Sequence, residues 1–405
     1  MKKLLEIALG VVTSIGGYLD AGTIATAAAA GALFGFDLLW VIPLGTLCAI
    51  CLVEMSGRLS AVSRHTLRDA MRERLGFDFF VLTLVLGLVV DVSVLAAELG
   101  GMAIAAELLT GIAFRWWALP AAVLTWLILW KGTFGVIEKG VALLGLVTVS
   151  FLAAAWTLHP PVGALARGLV PSLGAGDRFR YWFLAVAILG SLISPYLFYF
   201  YSSGAVEEKW DESYLGVNRI VATLGMAFGG IIAMAVLVVA AMVFHPNGIR
   251  VERYEQATLL LTAPFGRAGF YLFAASLGIA CLGAALELAL AVGYDFAQGF
   301  GWRWGQNRRP RDAARFALVY TGALAVAAIP IALGVDPLGV TVLSMAFTAL
   351  VLPFVVLPFL ALMNDRGYLR EHTNHRLANA VVLAVVVLAF VLAVVSIPLQ
   401  ILGGG

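Results

Sequence analysis

The chain is 405 residues long, 62% hydrophobic and only 12% charged, with a formal net charge of +2. That balance excludes an ordinary soluble domain and fits a polytopic membrane protein. It gives no ground for nucleic-acid binding either, because no basic stripe with interleaved aromatics occurs.

A spanning helix needs roughly 20 apolar residues, and by that rule the chain holds about eleven spans. The first covers about 7–34. Its apolar run continues far past a signal-peptide core, so it is read as a retained membrane helix. Within it, Ser14 to Thr26 carry Gly16, Gly17 and Gly22 around Asp20. Glycine weakens a helix by about 1 kcal/mol relative to alanine. A broken helix is tolerated in a bilayer only where it is buried in protein or lines a cavity. An acid at such a break is a functional-site hypothesis by default.

The second span covers 38–57, the third 79–111, the fourth 115–131 and the fifth 136–157. A Pro/Gly-rich connection from His159 to Asp177 follows, expected to join two halves on the outer side. The remaining spans are 179–203, 217–244, 267–298, 312–334, 338–363 and 376–402. Basic residues concentrate after spans two, eight and ten (Arg58 to Arg74, Arg303 to Arg315, Arg366 to Arg376) and at Lys2 and Lys3. By the positive-inside rule those loops and the N-terminus are cytoplasmic, which puts the C-terminus outside.

Span six has a second interruption, at Pro195, preceded by Gly190, Ser191 and Ser194. Proline removes a backbone donor and clashes with the preceding turn. Alone it reads as a structural kink. Paired interruptions in corresponding segments of two halves point instead to a transporter's midplane site. The expected organisation is one polytopic domain over 1–405, with a first repeat at 7–157, a second at 179–363 and an added span at 376–402.

Other acids lie inside spans. Asp91 and Glu98 are seven residues apart in span three. They offer a second cation or proton station, or else partners for backbone and neighbouring polar groups. Glu287 and Asp295 share roughly one face of span eight, where Glu287 lines a vestibule or satisfies a packing network. Glu54 and Arg58 are spaced to pair at the end of span two. Cys48 and Cys51 sit mid-span and read as small apolar residues rather than a redox pair. No Ser-His-Asp set, Walker loop or dinucleotide fingerprint is present, so no enzyme activity and no cofactor are expected.

Gly17 to Thr26, G-Y-L-D-A-G-T-I-A-T, resembles the G-Y-x-D-P-G-N-x-x-T pattern of helix one in the Nramp family of divalent-metal transporters. Leu38 to Ile42, Ala97-Glu98 with Gly100, Glu138-Lys139, Ser194 to Ser202 and Leu352 to Phe354 match in register, over nearly the whole chain. The resemblance implies an all-α, LeuT-like fold of two inverted five-helix repeats with helices one and six broken. It implies a metal site between the breaks, with the aspartate on Asp20, an asparagine ligand on Thr23, a methionine ligand on Ser194 and carbonyl ligands near Ala21 and Ser191.

The departures bear on selectivity. A thioether favours transition metals, whereas hydroxyl, carbonyl and carboxylate oxygens favour Mg²⁺, Ca²⁺ and Mn²⁺. Ser194 in place of methionine therefore points to Mg²⁺, with Mn²⁺ also accepted, as in the family's magnesium-transporting branch. Mg²⁺ also keeps several waters, for which short ligands leave room. Two family histidines of helix six fall on Tyr196 and Tyr201, and a helix-three aspartate falls on Leu95. Tyrosine does not titrate near neutral pH as imidazole does, so proton coupling is expected to be weak or absent. A family glutamine falls on Met345, which either returns some softness to the site or packs between helices. The expected partners are the metal ion and the bilayer, and the expected state is a monomer. Two alternatives stay open: a proton-coupled Mn²⁺/Fe²⁺ importer, and an amino-acid or small-solute carrier on the same fold.

Overall fold

The computed structural model describes residues 20–132, 145–172, 174, 177–306 and 308–402. The glycine pair ahead of Asp20, and Glu138-Lys139, lie outside the described residues. Among those described there are helices and turns and no strand.

The helices are α1 (Ala21–Phe34), α2 (Val41–Ser63), α3 (Leu67–Leu75), α4 (Phe77–Thr110), α5 (Ala118–Lys131), α6 (Ser150–Thr157) and α7 (Val162–Gly168). There follow α8 (Arg178–Leu192), α9 (Pro195–Glu207), α10 (Leu215–Val243), α11 (Tyr254–Ala257) and α12 (Leu259–Gly299). The chain closes with α13 (Ala314–Ala332), α14 (Pro337–Met363), α15 (Arg366–Leu369) and α16 (Arg376–Leu402). Eight apolar stretches among the described residues are long enough to cross a membrane, with α8 and α9 counted together. They match spans two, three and six to eleven.

Local chemistry sets the ends. Asp177 and Asp336 cap α8 and α14 through the amides of Arg180 (3.1 Å) and Gly339 (2.8 Å). Pro195 and Pro337 stand at first helical positions, where the missing N–H is not needed. Two connections differ from expectation. The His159–Asp177 stretch contains α7, bent 120° from the helix before it. Span eight, expected from residue 267, begins at Leu259, because helix continues on both sides of a kink at Pro264 and Gly266 (φ 57°). Only glycine takes that φ at little cost, so a Pro/Gly pair that reads as a loop is here a bend.

The starts of the two halves pack against each other: α1 lies on α8 and on α10, while α4 lies on α12 and α14. At Gly190 a Cβ would overlap the backbone of Met345, so α8 and α14 touch main chain to main chain at the level of the break.

The basic segments gather at one end. Arg74 pairs with Asp365 at 2.6 Å, Tyr368 donates to Glu73 at 2.8 Å, and Arg370 pairs with Glu212 at 3.1 Å. At the same end Arg58 is held by Glu54, as its spacing predicts, at 3.1 and 3.2 Å. It also donates to the His372 carbonyl (2.6 Å) and to Asn374 (2.7 Å) ahead of α16. Asn218 of α10 donates to the Glu54 carbonyl (2.9 Å) and accepts from the Tyr201 hydroxyl of α9 (3.0 Å).

Candidate functional site

The site is built at the start of α1. Asp20 takes an extended backbone and caps the helix, its carboxylate accepting from the Thr23 amide at 2.7 Å. The Thr23 hydroxyl and the Gly22 amide also hydrogen-bond this carboxylate. The free amides and partial positive charge of a helix N-terminus suit an anion. Asp20 is only 1% exposed.

A second carboxylate meets the same helix end. Glu98 of α4, fully buried, accepts from the Ala21 amide through Oε2 at 3.1 Å. Its Oε1 has no hydrogen-bond partner among the described residues. Neither acid forms an ion pair with a Lys or Arg among the described residues. Two buried carboxylates on one helix terminus, without a protein cation, leave the position short of positive charge.

The other wall comes from the second break. Between Leu192 and Pro195 the backbone leaves helical geometry at Ile193 (φ −116°, ψ 48°) and Ser194 (φ −72°, ψ 126°). Ser191 and Ser194 are both buried. The Ser191 hydroxyl lies 3.4 Å from that of Thr26 on α1, which joins the two interrupted segments. The Ser194 hydroxyl donates back to the carbonyls of Gly190 (3.2 Å) and Ser191 (3.4 Å). In this conformation the Ser191 carbonyl, expected as a ligand, is therefore engaged within its own turn. The Ala21 carbonyl likewise accepts from the Tyr254 hydroxyl at 3.2 Å, which also donates to Thr341 of α14 at 3.1 Å.

Met345 is fully buried and packs against Gly22, where a Cβ would collide with its side chain. It packs between helices, against the start of α1. Tyr196, at the start of α9, is buried within electrostatic reach of Asp20, Glu98 and Glu287. Tyr201 lies about one and a half turns further along α9, in the Asn218 contact, and is not brought to the break. Glu287 is partly exposed and reaches the group through Tyr196.

Several participants carry no motif. Tyr254 sits on the four-residue α11, in a loop by hydropathy. Cys281 lies against Gly101 of α4 and within electrostatic reach of Glu98. Arg68 counted only as one of a row of loop arginines, yet it is 1% exposed. Only its place beside a Thr66 cap, on the apolar face of α3 with Leu67 and Met71, hints at burial. Among the described residues no group of three or more His, Cys, Asp and Glu converges as a metal-binding cluster. The position is thus one of two carboxylates with hydroxyl, carbonyl and thioether neighbours.

The sequence profile of the family described as "Natural resistance-associated macrophage protein-like" (Nramp) matches residues 10–398. The chain is 28% identical over 384 residues to a protein of Aeromonas hydrophila named "Divalent metal cation transporter MntH", covering 90% of this chain and 88% of that one. It is 32% identical over 284 residues to the protein of that name from Deinococcus radiodurans, covering 66% of this chain and 63% of the relative. The crystal structure of the Eremococcus coleocola manganese transporter, bound to an aromatic bis-isothiourea compound, superposes with a TM-score of 0.81. Identity there is 21%, over 98% of this chain and 87% of that one. The amino-acid-bound transporter MhsT aligns with a TM-score of 0.62 at 14% identity, over 96% and 97% of the two chains. These likenesses establish the LeuT-like helical fold, and the match over residues 10–398 establishes that the chain belongs to the Nramp family.

Proposed function

We propose that this chain carries divalent metal cations across the membrane by alternating access, favouring Mg²⁺ and accepting Mn²⁺, with weak or no proton coupling. The observation that carries the reading is the pair Asp20 and Glu98 on one helix terminus, buried and, among the described residues, without a protein cation. A divalent cation matches that double charge. A solute carboxylate does not, which disfavours the amino-acid carrier. The name shared by the Aeromonas and Deinococcus relatives points the same way.

Asp20 is the charged ligand, Thr23 and Ser194 supply short hydroxyls, and the carbonyls of Ala21 and Ser191 become available when their present donors turn away. Oxygen ligands that leave room for retained water suit Mg²⁺. Tyr196 and Tyr201 offer no group that titrates near neutral pH, which supports transport without a proton. The basic end faces the cytoplasm, and the chain works as a monomer in the cell membrane.

A second reading, a proton-coupled Mn²⁺ importer, has its own support. The Met345 thioether lies against Gly22, and the unpaired Oε1 of Glu98 is a proton acceptor beside Asp20. Both are tested together in liposomes, by following Mg²⁺ and Mn²⁺ entry while recording internal pH. Entry of both ions at constant pH is expected. Mn²⁺ entry with acidification and no Mg²⁺ entry would replace the first reading by the second.

A further inference from the structure

We propose that Asp91 and Asp295 form a second divalent-cation station between the α1 break and the basic end, and that Arg68 fills it in this conformation as a tethered cation. The inference rests on the reading of the chain as a cation carrier.

Asp91 and Asp295 are buried on α4 and α12, the two helices that pack along the flank of α9. Asp91 precedes Glu98 by seven residues, about 10 Å along the helix. Asp295 follows Glu287 by eight residues on α12, which runs the opposite way, about 12 Å toward the same end. Both acids therefore stand further from the start of α1 than Glu98 and Glu287 do, within electrostatic reach of each other. Tyr196 links the levels, with Asp20, Glu98, Glu287 and Asp91 all within its electrostatic reach. A line of carboxylates thus descends from the first site along one wall.

Arg68 enters this line from outside the bundle. It projects from α3, a nine-residue connector, and its Nη2 is bonded to Asp295. Its guanidinium lies over the Tyr199 ring at 3.7 Å, with Asp91 in electrostatic reach. Gly87, one turn before Asp91, provides the space: a Cβ there would stand 3.1 Å from Nη2.

A purely structural ion pair would satisfy its members. This one does not. Arg68 Nε and Nη1, Asp91 Oδ1 and Asp295 Oδ1 are all buried without a hydrogen-bond partner among the described residues. Two carboxylates share one positive charge, and each keeps an oxygen unused. The set is overfilled with negative charge for a monocation and matched for a divalent one. The connector is short and bracketed by two residues of positive φ, Arg64 (φ 64°) and Gly76 (φ 87°). Withdrawal of α3 removes the guanidinium and leaves two oxygen ligands facing a cation that descends from Asp20.

The test is the number of Mn²⁺ ions bound by the purified full chain, counted by electron paramagnetic resonance with Mn²⁺ alone as the probe. Wild type is expected to bind one ion, Arg68→Gln two, and Arg68→Gln/Asp91→Asn one again. An Arg68→Gln protein that binds no more than wild type overturns the inference. If wild type binds none and Asp20→Ala changes nothing, the first site has failed. The second station is then judged by the difference between Arg68→Gln and its Asp91→Asn partner. Should Arg68→Gln not fold, Asp91→Asn keeps one carboxylate for one guanidinium and decides the matter by transport. Its Vmax for Mn²⁺ is expected to fall about tenfold with KM little changed, the pattern of a lost step after binding. An unchanged Vmax overturns the inference.

Discussion

At the start of α1, Asp20 and Glu98 are met by backbone amides; beside Tyr199, a guanidinium is bonded to Asp295 with Asp91 in electrostatic reach. Both pairs are buried, and both pairs bridge elements that meet only in the folded chain. The first is held by dipoles that cannot leave, because the amides belong to the helix itself. The second is held by a side chain on a short connector, which can. Amides orient a carboxylate without neutralising it, so the first pair keeps its charge unmatched. A guanidinium neutralises as well as orients, so the second is closed until its partner moves. The same acid chemistry can thus be set for capture or for control by the choice of donor alone.

The comparison breaks most severely at Asp20. Asp20→Ala removes both the cap and the charge, and uptake in liposomes is expected to drop to background; retained uptake would remove the site. Glu98→Gln keeps the Ala21 contact but loses the second charge. Isothermal titration should show metal affinity weakened about 10- to 100-fold, the usual scale for a supporting group at a metal centre. For the second pair, Arg68→Met leaves two buried acids without a cation, and removing one partner of a buried pair costs about 3–5 kcal/mol. A chemical-denaturation midpoint unchanged by that substitution would mean the guanidinium is not needed to hold the pair. The smallest change sharpens selectivity: Met345→Gln replaces the thioether facing Gly22 with an amide oxygen. It should lower the Mn²⁺-over-Mg²⁺ ratio about severalfold, read from competition uptake, in line with ligand softness.

Much of the first region was legible in the sequence, because its signals are local. A carboxylate beside glycines in an apolar run and a proline in the matching segment are visible without any contact. Glu98 stood out as an intramembrane acid, but nothing in the spacing said that it would meet the Ala21 amide, 77 residues away. The second region was largely hidden. Arg68 reads as one more loop arginine, since hydropathy describes α3 by its average and not by the one face that turns inward. Asp295 read only as sharing a helix face with Glu287. Its partner instead comes from another element, 227 residues earlier. The kink at Gly266 was misread for a related reason, a proline and a glycine being the same letters in a loop and in a bent helix.

The run from Arg58 through Glu54 and Asn218 to Tyr201 has a mechanical consequence. It ties the segment ahead of α16 to α2, α2 to α10, and α10 to α9. A half-helix so strapped is not free to swing as a lone lever. Any turn of it is expected to carry its neighbours along, the segment ahead of the last helix included. Gly57 is where the strap is thinnest, since a Cβ there would strike both Asn218 and Tyr201. Gly57→Ala should leave ion binding at Asp20 intact while uncoupling the blocks, so that turnover falls and affinity holds.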